Sequence, residues 1–237
     1  MPVWGLGLAL VALVAAAAIA IPAALSTPAR TSASEPLPVP SMFVPEKKPV
    51  AAFIGDSYTA GTGGTDGGFV KLVAAEQGWF PKNFGRGSTG FLPRDLSPEL
   101  SRDACGQDYC ESYGEMIEKA TAAKPDVIVV SGGRNNAGDD PDAVRDSIEG
   151  FFTALRQAAP DARVIVTSPL WDTREAPSSL SDIAAWEKDA ANAIAAEYVD
   201  LGQPLEGQDG LITDDGVHPN DAGYEAIAAA INAALAG

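Results

Sequence analysis

Along the chain, apolar and polar positions fall into blocks that alternate strand, loop and helix. Val50-Ala-Ala-Phe-Ile54 is a short apolar run. Asp126-Val-Ile-Val-Val130 and Arg163-Val-Ile-Val-Thr167 are two more, apolar without alternation, as expected of parallel strands buried on both faces. Further strands are expected over Phe80–Phe84 and near Tyr198–Leu201. Between these runs the apolar residues recur at helical spacing. One helix carries Phe69, Leu72 and Val73, and another covers Glu111–Ala123. A third, capped by Asp140 and opened by Pro141, carries Val144, Ile148, Phe151, Phe152 and Leu155. The last two carry Ile183, Trp186, Ala190 and Ile194, then Ile227, Ile231 and Leu235. Residues 91–110 read as irregular. Strand and helix alternate about five times, which predicts an open, doubly wound α/β domain on a parallel sheet.

The first residues follow a different pattern. No charged residue stands between Val3 and Leu25, and Leu6–Ile21 is almost wholly aliphatic. Some twenty apolar residues are enough to cross a hydrocarbon core as a helix. No Lys or Arg precedes the run, as a signal peptide would usually have, yet Pro22, Ala23, Ala24 and Ser26 resemble a cleavage region. An uncleaved membrane anchor and a cleaved signal therefore both stand, and either exports the rest. No cysteine lies nearby for lipid attachment. Residues 26–48, rich in Pro, Ser and Thr, have the composition of an extended tether. The expected organisation is thus a hydrophobic segment over 1–25, a linker over 26–48 and one catalytic domain, expected to be monomeric, over 49–237.

Charge narrows the choice of partners. Sixteen Lys+Arg against thirty-two Asp+Glu give a net charge of -16, which argues against a nucleic-acid partner. A membrane contact is expected only through the N-terminal segment. The two cysteines, Cys105 and Cys110, are too few for a zinc site, and no cofactor or metal is expected. In an oxidising compartment they would close a short disulfide.

The candidate chemistry begins with His218, the single histidine of 237 residues. Histidine is the side chain best suited to taking and returning protons near neutral pH. Asp215, three residues earlier, is close enough for a turn to hold its carboxylate on one imidazole nitrogen; Asp214 is a less favourably spaced rival. Three other polar clusters fall at expected strand ends: Gly55-Asp56-Ser57, Gly87-Ser88 and Gly133-Arg134-Asn135. In a doubly wound sheet, ligands bind outside those ends. Together the clusters offer what acyl transfer to water requires. Ser57 is a hydroxyl nucleophile, His218 a base and Asp215 its orienting acid. The backbone N–H groups of Ser57, Gly87 and Ser88 and the Asn135 amide are donors for a developing oxyanion. Trp171, Tyr58 and Phe91 are candidate pocket walls, although ordinary half-buried aromatics would look the same in sequence.

The order and placement of these clusters resemble the four blocks of the SGNH (GDSL-type) hydrolase family, over residues 49–237. The resemblance implies a flavodoxin-like three-layer α/β/α sandwich with a five-stranded parallel sheet and a metal-free serine esterase. It assigns Ser57 as nucleophile, His218 as base, Asp215 as its partner and Asn135 as an oxyanion donor. Two positions depart from the family pattern. The second-block glycine, counted from Asn83, falls on Ser88, with Gly87 one position before. The third block usually continues from Asn to Asp, and here Asn136 stands instead.

The expected function is an exported serine esterase acting on acetyl or other short acyl esters of glycans, lipids or small molecules. Two alternatives stand beside it. One is a cell-envelope polysaccharide O-acyltransferase using the same triad; the other is a non-catalytic binding module on the same fold.

Overall fold

The computed structural model describes residues 47–237. The hydrophobic segment and most of the expected linker lie outside the described residues. No helix within the described residues is long and apolar enough to cross a membrane.

Five parallel strands form one sheet in the order β2-β1-β3-β4-β5: β1 (Val50–Gly55), β2 (Phe80–Asn83), β3 (Val127–Ser131), β4 (Arg163–Thr167) and β5 (Glu197–Val199). The central pairings set Gly55 beside Ser131 and Val130 beside Val166. Because a strand's side chains alternate between faces, each central strand feeds two cores. Ala52, Ile54, Ile128, Val130, Val164 and Val166 point to one face. They are covered by α4 (Tyr113–Ala122), α5 (Pro141–Ala158) and α6 (Ser178–Ala193). Ala51, Phe53, Val127, Val129 and Ile165 point to the other, covered by α2 (Gly68–Glu76) and α7 (Asp221–Leu235). This is the expected three-layer α/β/α sandwich, and the unbroken apolar runs are its consequence.

The edge strand β2 is mostly exposed, and it carries Pro81 and Lys82 there, residues that discourage pairing with another chain. One expectation fails. The segment read as irregular contains a helix, α3 (Pro98–Cys105). Its polar composition gives no apolar stripe, but its ends are signalled: Ser97 caps it through its hydroxyl, Pro98 opens it and Gly106 ends it in the left-handed conformation. A disulfide joins Cys105, the last residue of α3, to Cys110.

The strand order has a direct bearing on chemistry. The chain leaves β1 toward β2 on one side and returns through β3 on the other, so the sheet's switch point lies between β1 and β3. Ligands of such sheets bind in the crevice at that point.

Candidate active site

Ser57 stands immediately beyond β1, at the first position of the short helix α1 (Ser57–Ala60). Asp56 caps that helix, its Oδ1 accepting from the Tyr58 N–H at 2.9 Å. The Thr59 hydroxyl donates to the Ser131 carbonyl at 2.8 Å and pins the turn to the end of β3. Asp56 thus braces the turn. It is buried, and burial pushes its carboxyl above the usual range against the opposing Tyr58 hydrogen bond and Arg134 charge.

The Gly87-Ser88 turn follows β2. Upstream, Asn83 Nδ2 donates to the Thr59 carbonyl at 2.7 Å and the Arg86 N–H to the Gly55 carbonyl at 3.0 Å. A side chain at Gly87 would put its Cβ 2.2 Å from the Ala104 carbonyl oxygen, so glycine is what lets α3 close on the turn. Ser88 has φ +57°, a conformation natural to glycine and uncommon for serine. Serine thus stands here in a conformation that glycine would adopt without strain. Among the described residues, the Ser57 and Ser88 N–H groups have no acceptor.

Beyond β3, Arg134–Asn136 form a single 3₁₀ turn. Half-buried Asn135 donates one amide hydrogen to the Thr89 carbonyl at 2.8 Å, which leaves the other available. Asn136 is buried and uses both ends of its amide. Its Oδ1 accepts from the Phe91 N–H and its Nδ2 donates to Asp139, each at 2.8 Å. An aspartate could make the first bond but not the second, so the Asn136 departure is matched by Asp139.

His218 lies in a loop closed by Ile212 pairing with Pro219 and by the Thr213 N–H on the His218 carbonyl at 2.9 Å. Its Nδ1 is 2.7 Å from Asp215 Oδ2. Asp215 Oδ1 accepts from the N–H groups of Val217 and His218 and from the Thr213 hydroxyl. The backbone and side-chain hydrogen bonds from His218 hold the Asp215 carboxyl well below its usual range. With the carboxylate on Nδ1, His218 Nε2 is the nitrogen left to accept a proton. Asp214 makes no such bond. The loop also meets the segment that carries Ser57. The Tyr58 hydroxyl donates to the Val217 carbonyl, and a Cβ on Gly63 would lie 3.0 Å from that of His218. Among the described residues, no hydrogen bond joins the Ser57 hydroxyl to His218. Such bonds commonly tighten only when substrate arrives.

The parts played by three buried ionisable side chains were not legible in the sequence. Arg134 is sandwiched between Tyr58 and Trp171, its guanidinium carbon 4.4 and 4.6 Å from the two ring centres. It pairs with Asp172, itself fully buried and also held by Arg174. Burial pushes the Asp172 carboxyl up, but the hydrogen bonds and charges of the arginines outweigh it and hold the group low. Glu187, on α6, is buried beneath Gly133 with neither carboxyl oxygen hydrogen-bonded. Burial pushes it well above the usual carboxylate range, and the Asp56 charge adds to the effect. The Tyr113 hydroxyl lies between the two regions, accepting from the Gly133 N–H and donating to Asp56. Of the aromatic candidates, Tyr58 and Phe91 are core residues, 2% and 3% exposed, and only Trp171 is half-buried. Among the described residues, no group of three or more His, Cys, Asp or Glu is arranged to hold a metal ion.

Residues 53–226 match the model of the GDSL-like Lipase/Acylhydrolase family. A GDSL lipase of Mycobacterium tuberculosis is 32% identical over 186 residues, 75% of this chain and 77% of that protein. Two solved structures share the fold at low identity. The psychrotrophic esterase EstA from Pseudoalteromonas superposes with a TM-score of 0.56 at 15% identity, covering 79% of this chain and 97% of its own. A member of the lipolytic protein G-D-S-L family from Veillonella parvula superposes with a TM-score of 0.53 at 18% identity, covering 77% and 96%.

Proposed function

Because the chain belongs to the GDSL-like lipase/acylhydrolase family and is an ester hydrolase, we propose that it cleaves carboxylic esters by serine acyl transfer. Ser57 Oγ attacks the ester carbonyl as His218 Nε2 takes its proton, and Asp215 steadies the imidazole through Nδ1. The tetrahedral oxyanion is held by the Ser57 N–H, the N–H of the Gly87-Ser88 turn and the free hydrogen of the Asn135 amide. His218 then returns the proton to the departing alcohol oxygen. The acyl-serine that remains is attacked by water, with His218 again as base, which releases the acid and restores Ser57. The observation that carries this reading is the 2.7 Å contact of His218 Nδ1 with Asp215, on a loop hydrogen-bonded to the residue next to Ser57.

The substrate in this reading is an acetyl or other short acyl ester. Export is supported by the disulfide, which belongs to oxidising compartments, and by the apolar N-terminal segment. Residues 49–237 are then the catalytic domain, tethered by 26–48.

The test is p-nitrophenyl acetate turnover by the purified protein and by its Ser57→Ala and His218→Ala forms. Both substitutions are expected to abolish turnover. Wild-type rates in either would overturn the assignment.

A further inference from the structure

We propose that Arg94 is a positioning residue for the oxyanion donors, an inference that rests on the serine-hydrolase reading above. Arg94 lies in the loop between the Gly87-Ser88 turn and α3, outside every cluster the sequence marked as chemical. Its Nε donates to the Ser88 carbonyl at 3.3 Å and its Nη2 to the Asn135 carbonyl at 2.9 Å. Asn135 in turn donates to the Thr89 carbonyl at 2.8 Å. The three bonds close a ring through the turn after β2, the turn after β3 and one guanidinium. Each turn supplies one donor to the oxyanion, so the ring fixes their separation.

The physical need for such a ring is specific to these turns. Oxyanion donors act through preorganisation, and a donor free to reorient loses most of its effect. Ser88 holds a left-handed conformation that its side chain disfavours, so the turn has reason to relax if released. Arg94 opposes that relaxation by anchoring the Ser88 carbonyl. Its own loop is fixed at the root, where the Phe91 N–H meets Asn136 Oδ1 and the Ser147 hydroxyl meets the Phe91 carbonyl, each at 2.8 Å. Its ion-pair partner among the described residues, Asp139, stands 4.0 Å away, too loose a pair to explain the geometry alone. Planar, two-pronged donation to diverging carbonyls is what a guanidinium does and an ammonium does not.

The experiment compares steady-state p-nitrophenyl acetate turnover of the full chain with Arg94→Ala, Arg94→Lys, Asn135→Ala and the Arg94→Ala/Asn135→Ala pair. Arg94→Ala is expected to lower kcat by about 10–100-fold with KM little changed, a partial form of losing one oxyanion donor. Its pH profile should keep the wild-type shape, since His218 and Asp215 are untouched. Arg94→Lys should lose less than Arg94→Ala. In the Asn135→Ala background, removing Arg94 should cost a smaller factor, because one of the two donors it positions is gone while the Ser88 N–H remains.

Wild-type kcat in Arg94→Ala, or an equal loss with and without Asn135, would overturn the proposal. If Arg94→Ala does not fold, Arg94→Lys carries the test, and wild-type kcat there overturns it equally. Ser57→Ala separates the two levels of inference. An inactive Ser57→Ala with unaffected Arg94 variants removes only the role of Arg94, whereas an active Ser57→Ala removes both.

Discussion

The Tyr58 hydroxyl donates a 2.7 Å hydrogen bond to the Val217 carbonyl, across 159 residues of chain. Tyr58 follows the candidate nucleophile and Val217 precedes the candidate base. This bond therefore ties the two halves of the candidate site together directly.

Removing it without changing the packing tests that tie. Tyr58→Phe is expected to lower stability by about 1 kcal/mol, the usual net worth of such a bond. It should also lower kcat more than it changes KM, because His218 loses a support of its loop. Thermal melting and steady-state kinetics check the two parts.

Activity should fall on acidification, as protonated His218 can no longer take the Ser57 proton. Asp215 does not set that limit. Its carboxyl is held low, so its stabilising contribution is complete above the ordinary carboxylate range and is lost only as pH falls through its depressed value. Asp215→Asn should lower kcat by about 10⁴-fold while leaving residual activity, because the imidazole loses the partner that fixes its tautomer. A kcat profile against pH for both forms is the measurement.

Glu187 predicts the opposite dependence for stability. Its folded-state carboxyl is raised, so the folded protein keeps a proton that the unfolded chain releases. Stability from this group therefore falls as pH rises from the ordinary carboxylate range toward the raised value. Glu187→Gln, which cannot ionise, should melt progressively higher than the wild type as pH increases. Melting curves at a series of pH values would show the two lines diverging.

The disulfide closes a loop with a sequence separation of 5. The chain-entropy account gives so short a loop about 2 kcal/mol. Cys105→Ser/Cys110→Ser should lose roughly that much, and the wild type should follow it on reduction. Because Ala104 and Cys105 back the Gly87-Ser88 turn, kcat is expected to fall as well. Denaturant titration with and without reductant checks it.

Ser88→Gly tests which atom serves at the second block. If the donor is the backbone N–H, turnover should persist, because glycine keeps that group and the φ of +57°. Relief of the left-handed serine and the greater freedom of unfolded glycine offset each other, so stability should move by less than about 1 kcal/mol. A loss of turnover would point to the hydroxyl instead.

Much of this protein is legible before folding, for physical reasons. A strand buried on both faces must be apolar throughout, which is why Val50–Ile54, Asp126–Val130 and Arg163–Thr167 stand out in the sequence. A chain with one histidine has one place to put a neutral-pH base, and Asp215 lies close enough to reach it through a turn alone. Helix α3 escapes because an exposed polar helix carries no apolar stripe, although Ser97, Pro98 and Gly106 mark its ends.

The remainder depends on which elements become neighbours. Strand order puts β1 beside β3, and only then do Ser57, the Gly87-Ser88 turn and Asn135 meet at one edge. In sequence, Arg94 and Glu187 are two charged residues among many, and Arg134 is one member of a polar cluster with no part of its own. Their roles come from partners on distant elements: the carbonyls of Ser88 and Asn135 for Arg94, two aromatic rings and Asp172 for Arg134, and Gly133 over a buried, unpaired Glu187. A charge takes its meaning from desolvation and from what faces it, and both are properties of the folded chain alone.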